Sequence, residues 1–345
     1  MTKEIHRFKQ GKQFIYKQNG KLITNKNILE QINKIRIPPA WRDVIITLSS
    51  KVLATGYDEA GRKQAVYSSQ HTEKQRHSKI CNLVAFIHII PHIRKDITVK
   101  LKSPKLTKDK LIAILLNIII ICSFRIGSEK NRKLYKSYGI STITKKEVQL
   151  NKSNVVIDFI GKKQVQNTCK IEDPRMVKLL KDLYRGKSNT DNIFSYKDKT
   201  ETIKVSNIDV NTYLKDITTK HMLPGNKQKN IKITTKVFRT WLANVKFIDK
   251  MYTIRNDLDK ITANTTKQED NKRKALITDV KREVAKEMHH TMAICTKSYL
   301  IKELVDMSIT DYGKYKQLIN KNYKKRNGMT CAETALLEYL KQGCK

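Results

Sequence analysis

Phe14-Ile15-Tyr16 is aromatic and β-branched, Asn19-Gly20 is a strong turn pair, and Lys21 to Thr24 resumes an extended pattern, so the chain opens with a predicted β-hairpin. Asn25 stands where an N-cap belongs, ahead of a helical stretch that reaches Ile35 and must end before Pro38-Pro39. Val52 to Tyr57 and Arg62 to Tyr67 flank Asp58-Glu59-Ala60-Gly61 and predict a second hairpin, with glycine where a positive φ is needed. A polar, basic run from Ser68 to Lys79 follows. Beyond it the apolar spacing turns helical over Ile80 to Ile90, Lys108 to Phe124, Pro174 to Tyr184, Val205 to Lys220, Thr234 to Tyr252 and Lys272 to Met288. One stretch breaks that regime: Val155 to Ile160, Gly161-Lys162-Lys163, then Gln164 to Lys170 reads as a β-hairpin set among helices. The Asn- and Lys-rich strip from Thr262 to Lys274 reads as a solvated linker or a helix start. The pattern predicts an α+β chain, with a small antiparallel β-rich domain over 1–72, a linker at 73–75 and a larger, mainly α domain over 76–345.

The most apolar run, Leu111 to Phe124, is shorter than the roughly 20 residues that span a bilayer and is read as a buried core helix. No apolar segment follows the first basic residues, so an intracellular protein with no membrane partner is expected. The six cysteines, at 81, 122, 169, 295, 331 and 344, form no C-x-x-C pair, and reduced thiols without a zinc site are expected.

Charge changes the picture more. The 345 residues carry 70 Lys and Arg against 32 Asp and Glu, a formal charge of +38. Abundant Lys, Ile and Asn fit an A+T-rich genome, which explains the lysines but not the scarcity of carboxylates. At 39% hydrophobic residues, with 12 Gly and 6 Pro, the chain can bury a core, so the charge sits on a folded body. The first 72 residues hold 13 basic and 5 acidic side chains, and the two parts carry +8 and +30, the same density per residue. A polyanion touching both parts accounts for this. Nucleic acid is the first candidate and an anionic membrane surface the competitor.

No P-loop, G-x-G-x-x-G, H-E-x-x-H or carboxylate cluster spaced for Mg²⁺ is visible. Strand cutting without a metal or a nucleotide then needs a side-chain nucleophile, with cations to stabilise the charge that builds on phosphate. Arg125 directly follows the apolar helix and reads equally as an ordinary helix C-cap. Lys162 lies at the hairpin tip, where most lysines are merely solvated. Arg239 sits among Phe238 and Trp241, and His290 precedes Tyr299 by nine residues.

Taken in order, these residues resemble the type IB DNA topoisomerases, specifically their compact poxvirus and giant-virus branch with its bacterial relatives. The resemblance covers nearly the whole chain. Ile37 to Val44 and Ala54 to Gln64 look like the family's N-terminal domain. Arg125-Ile126-Gly127, Phe159-Ile160-Gly161-Lys162, Lys236-Val237-Phe238-Arg239-Thr240 and Cys295-Thr296-Lys297-Ser298-Tyr299 look like its catalytic blocks. The implied fold is that shared by tyrosine recombinases and type IB topoisomerases, with a catalytic lysine on a β-hairpin. The implied activity is relaxation of supercoils of either sign through a 3′-phosphotyrosyl intermediate, strand rotation and resealing. By resemblance Tyr299 attacks, Arg125, Arg239 and His290 hold the phosphate oxygens, and Lys162 protonates the leaving 5′ oxygen. Gln64, Tyr67, Arg76 and Lys236 are the implied DNA-binding positions. The implied partner is double-stranded DNA, held by a monomer closing as a clamp, with no cofactor and no nucleotide. A viral source would place the protein in the virion and at the site of viral DNA replication.

Departures from the family pattern are also visible. Poxvirus members carry Tyr where Ala65 stands and near Asn131, so their cleavage-sequence preference is not carried over. The Gly that often precedes the active-site histidine is His289 here. Two other readings stay open. A tyrosine recombinase or integrase shares the fold and nucleophile but usually has His where Lys236 stands. A non-catalytic architectural DNA-binding protein would keep the fold alone.

Overall fold

The computed structural model describes residues 4–199, 201–221 and 231–342, and the chain divides into two compact units between Lys79 and Ile80. The first unit contains β1 (Ile5–Gln10), β2 (Gln13–Gln18), β3 (Lys21–Leu22), α1 (Lys26–Lys34), β4 (Arg42–Ile46), β5 (Val52–Tyr57) and β6 (Lys63–Tyr67). All its strand pairs are antiparallel, in the order β3-β2-β1-β4-β5-β6. Both predicted hairpins are present, as β2–β3 and β5–β6, and β1 and β4 join them into one sheet. Asn25 caps α1, its side chain accepting from the Ile28 N–H at 3.3 Å, and Ile32 and Ile35 pack on Ile5, Val44, Ile46 and Ala54. The Pro38-to-Trp41 turn is tied to the sheet by Arg7. Its Nη2 donates to the carbonyls of Pro38 at 3.1 Å and Trp41 at 2.7 Å, while its guanidinium lies over the Phe14 ring at 4.3 Å.

Helix α2 (Ser69–Lys102) corrects two expectations. The polar run after Ser68 forms its first turns, and the helix continues through Pro91 instead of stopping before it. Those turns carry no apolar stripe, so periodicity gave no signal there. An interior proline costs about 3 kcal/mol, which burial of Phe86, Ile87, Ile90, Ile93 and Ile97 on the same helix outweighs. The expected linker at 73–75 therefore lies within a helix, and the division between units falls later in the sequence.

The second unit continues with α3 (Lys108–Cys122), α4 (Glu129–Tyr135), β7 (Val148–Leu150), β8 (Val155–Ile160), β9 (Gln166–Ile171), α5 (Pro174–Tyr184), β10 (Ser195–Asp198), β11 (Glu201–Lys204) and α6 (Asn207–His221). It ends with α7 (Thr235–Thr253), α8 (Arg255–Asp259), α9 (Thr266–Glu287), α10 (Met292–Ser298), α11 (Lys302–Thr310), α12 (Tyr312–Asn322) and α13 (Cys331–Lys341). The predicted hairpin is β8–β9, extended by β7 into a three-stranded antiparallel sheet. The Asn- and Lys-rich strip is the start of α9, capped by Thr265. Helix α3 is buried on most sides, as its composition requires. Among the described residues no helix is long and apolar enough to cross a membrane.

The expectation of reduced thiols is overturned at one pair. Cys122 at the end of α3 and Cys169 on β9 form a disulfide across 47 residues of sequence, with Cα atoms 5.6 Å apart. Cysteine spacing missed it because the pairing depends on β9 packing against α3. Cys295 and Cys331 are free thiols, and Cys344 lies outside the described residues. Reduction reopens the loop in the unfolded chain, so dithiothreitol should lower unfolding stability by about 2–4 kcal/mol. Denaturant titration with and without reductant measures this, and Cys169→Ser should be indifferent to the reductant.

Candidate active site

Four segments converge where α3 ends. Ser123 takes a left-handed conformation, φ 57°, and stops the helix, while Phe124 is fully buried against Phe159 of β8. The chain turns here, and Arg125 emerges from the core. Gly127 has φ +85° and lies so close to Gly139 that a Cβ on it would meet the Gly139 Cα at 2.7 Å, which is a physical reason for glycine in Arg-Ile-Gly. The segment 138–141 holds both neighbours of the site. The Ile140 N–H donates to the Arg125 carbonyl and the Ser141 N–H to that of Ile126, each at 2.8 Å. The Tyr138 N–H donates to the Ile160 carbonyl at 3.0 Å, so the Arg125 backbone and the end of β8 share one strap.

Arg239 lies in the first turns of α7 and is 3% exposed. Its Nη1 donates to the Ser123 carbonyl and its Nη2 to the Met288 carbonyl at 2.6 Å, tying together the ends of α3, α7 and α9. Its Nε has no partner. His289 has φ +54°, the conformation a glycine would adopt freely at this position. Its ring compensates by meeting the Cys122 carbonyl at 2.8 Å and packing on Phe124 at 5.0 Å. His290 follows, with its Nε2 against Arg239 Nη2 and 3.4 Å from Arg125 Nη2.

Tyr299 ends the short helix α10 and is 9% exposed. Its ring stacks on His290 at 4.8 Å, and its hydroxyl accepts from Arg125 Nη2 at 3.3 Å. The Arg239 guanidinium lies 5.2 Å from the centre of that ring. The sequence reading missed Asn244, a fully buried residue of α7. Its Nδ2 donates to the Tyr299 carbonyl and its Oδ1 accepts from the Ile301 N–H, both at 2.9 Å, so it fixes the backbone on either side of the tyrosine. The available signal was a lone amide inside the apolar run Trp241-Leu242-Ala243-Asn244-Val245.

The electrostatics follow from two cations in a half-dry pocket. Burial, then the neighbouring Arg125 charge, lowers Arg239 to about 10. Burial, then Arg239 and Arg125, lowers His290 to about 3, so its imidazole is neutral near pH 7. Burial alone would raise the Tyr299 phenol, but the charges and hydrogen bonds of Arg239 and Arg125 bring it below the ordinary tyrosine value. Among the described residues no carboxylate pairs with either guanidinium. A buried cation without a counter-ion is costly, and an anion brought to this point would relieve it.

Lys162 sits in the turn between β8 and β9 and is exposed. No hydrogen bond joins it to the other four, but its charge contributes to the depression of His290. Of the remaining predicted positions, Gln64, Tyr67 and Arg76 belong to the first unit. Gln64 donates to Asp58 at 2.9 Å, Tyr67 is exposed with its ring tilted against that of His71, and Arg76 pairs with Glu73 at 2.7 Å. Lys236 lies in the first turn of α7. Ala65 is paired with Thr55 inside the β5–β6 hairpin, and Asn131 lies in the first turn of α4.

Residues 68–326 match the family described as eukaryotic DNA topoisomerase I, catalytic core, and residues 13–58 match the bacterial DNA topoisomerase IB N-terminal domain. A DNA topoisomerase 1B of Acanthamoeba polyphaga mimivirus is 30% identical over 315 residues, covering 88% of this chain and 87% of that protein. The vaccinia virus (strain Copenhagen) DNA topoisomerase 1B is 21% identical over 44% of this chain and 54% of its own length. DNA topoisomerase 1 alpha of Arabidopsis thaliana is 29% identical over 62% of this chain and 21% of its own length. With a phenol held between two uncompensated guanidiniums and matches that span both units, the chain belongs to the type IB DNA topoisomerases and acts on DNA.

Proposed function

We propose that Tyr299 is the nucleophile of this enzyme. Its oxygen attacks a backbone phosphorus, the 5′ oxygen leaves, and a 3′-phosphotyrosyl ester retains the bond energy, so no nucleotide is needed for resealing. The observation that carries this reading is the Tyr299 hydroxyl accepting from Arg125 while Arg239, buried and without a carboxylate, lies over its ring. A scissile phosphate would take the N–H groups now directed at His290 and satisfy the unpartnered Nε of Arg239. Planar guanidiniums suit those oxygens. Neutral His290, whose Nε2 accepts from those N–H groups here, passes to its other neutral tautomer once they turn to the phosphate and then donates from Nε2 to the same group. Lys162 protonates the leaving 5′ oxygen, and the severed strand rotates before the 5′-hydroxyl attacks back.

The enzyme acts as a monomer, both units contact the duplex, and Gln64, Tyr67, Arg76 and Lys236 touch DNA. The positive charge carried by both parts of the sequence supports this. Binding should weaken with salt at a log-log slope of about −0.9 per phosphate neutralised, and fluorescence anisotropy over a salt series measures it. Kinship with giant-virus and poxvirus proteins supports a viral setting, in the virion and at the site of viral DNA replication. The test of the activity is supercoiled plasmid of either sign in EDTA without ATP. Relaxed topoisomers are expected, and persistence of the supercoiled band would contradict the reading.

The depressed phenol fixes the pH dependence. Single-turnover cleavage should rise with pH and level off below the ordinary tyrosine value of about 10. His290 stays neutral down to about pH 3, so its titration should add no separate inflection to that rise between pH 6 and 7. Rapid-quench cleavage from pH 5 to 10 checks both features.

A further inference from the structure

The turn that carries Lys162 is built without glycine where glycine would be easiest. Lys163 and Gln164 both have left-handed backbones, φ 62° and 57°, and non-glycine residues hold such conformations only when their surroundings over-determine them. The constraint here is a single carbonyl gripped from two sides. The Val165 carbonyl accepts from the Gly161 N–H at 2.8 Å and from Asn167 Nδ2 at 2.7 Å. Asn167 lies opposite Phe159 in the β8–β9 register and is 3% exposed, whereas Lys162, Lys163 and Gln164 are exposed. Its amide lies against Gly161, where an added Cβ would fall 2.4 Å from Nδ2. Gly161, Val165 and Asn167 therefore close a small ring around the residues that aim Lys162.

We propose that Asn167 is a positioning residue for the chemical step, holding the 161–165 turn in the shape from which Lys162 protonates the leaving oxygen. The inference rests on the role given above to Lys162. Asn167 needs no contact with DNA or with the reacting atoms. Its effect should fall chiefly on what Lys162 does, because its hydrogen bond goes to the Val165 carbonyl within the turn, while the Arg239 guanidinium is held by the Ser123 and Met288 carbonyls and the phenol by Arg125.

A sulfur substitution separates this from a merely structural role. In a duplex carrying the enzyme's cleavage site with the bridging 5′ oxygen replaced by sulfur, the leaving group is a thiolate and needs no proton. Lys162→Ala should lose roughly 10²–10⁴-fold in single-turnover cleavage of the oxygen duplex and regain most of it on the sulfur duplex. Asn167→Ala should lose roughly tenfold to a hundredfold on the oxygen duplex, regain it on sulfur, and bind uncleaved duplex as the unsubstituted enzyme does. Gly161→Ala pushes the same amide aside without removing it and should behave alike, which keeps the test available should Asn167→Ala fold poorly. Equal losses on both duplexes, or no loss on oxygen, would overturn the assignment of Asn167. A Lys162→Ala enzyme that stays slow on the sulfur duplex would instead overturn the role of Lys162, and the two failures read differently.

Discussion

Tyr299→Phe is expected to abolish relaxation and covalent capture while leaving DNA affinity intact. The change removes one oxygen from a ring that stays packed, since the stack on His290 at 4.8 Å and the burial beside Leu300 need no hydroxyl. The thiol one turn earlier on α10 offers no substitute. Cys295 is fully buried, and burial raises its thiol to about 11, so it carries almost no thiolate near neutrality. The loss in single-turnover cleavage should be roughly four orders of magnitude or more, as expected when a covalent catalyst loses its attacking atom. Plasmid relaxation and anisotropy on the same preparation measure both halves. A binding protein that merely shared the fold would lose nothing.

Arg239→Ala should produce the second largest defect, a loss of about 10²–10³-fold in cleavage at saturating DNA. The guanidinium is positioned by the Ser123 and Met288 carbonyls, and it is one of two charges holding the phenol below its ordinary value. Its removal should therefore also move the plateau of the pH–rate profile upward. Arg239→Lys should not restore the rate, because one ammonium cannot span two carbonyls and a phosphate in the same plane. Rapid-quench cleavage across pH reads both effects, and an unchanged plateau would mean that Arg239 acts on the phosphate alone.

Much of this architecture was legible because local rules and tertiary structure agreed. Asn25 and the Pro174 helix start sit where capping chemistry places them, and the β8–β9 hairpin was readable from β-branched runs around Gly161, whereas α9 begins at Thr266, ahead of the Lys272 start that the apolar spacing suggested. The candidate site residues stood out in the sequence only in combination, since Arg125 alone reads as a helix cap and Lys162 as a solvated tip, and the structure brings Arg125, Arg239, His290 and Tyr299 together. What stayed hidden depends on packing. The first turns of α2 carry no stripe, and Pro91 is tolerated because isoleucines around it are buried. Cys122 and Cys169 meet only once β9 lies against α3, and the value of Asn244 and Asn167 lies in the backbone groups that folding brings to them. His289 shows the converse case, a departure from glycine that becomes intelligible once its ring is seen on the Cys122 carbonyl.

The most direct measurement places label on either side of a broken phosphodiester. Duplexes labelled either in the segment 5′ to the cut, whose new 3′ end carries the scissile phosphate, or in the segment 3′ to it are mixed with enzyme, quenched with detergent, digested and mapped by mass spectrometry. The label 5′ to the cut should travel with a single peptide containing Tyr299, joined to the 3′ end of the cut strand, while the label 3′ to it stays on a free 5′-hydroxyl segment. Capture of the 5′ end, or of any residue other than Tyr299, would contradict the mechanism.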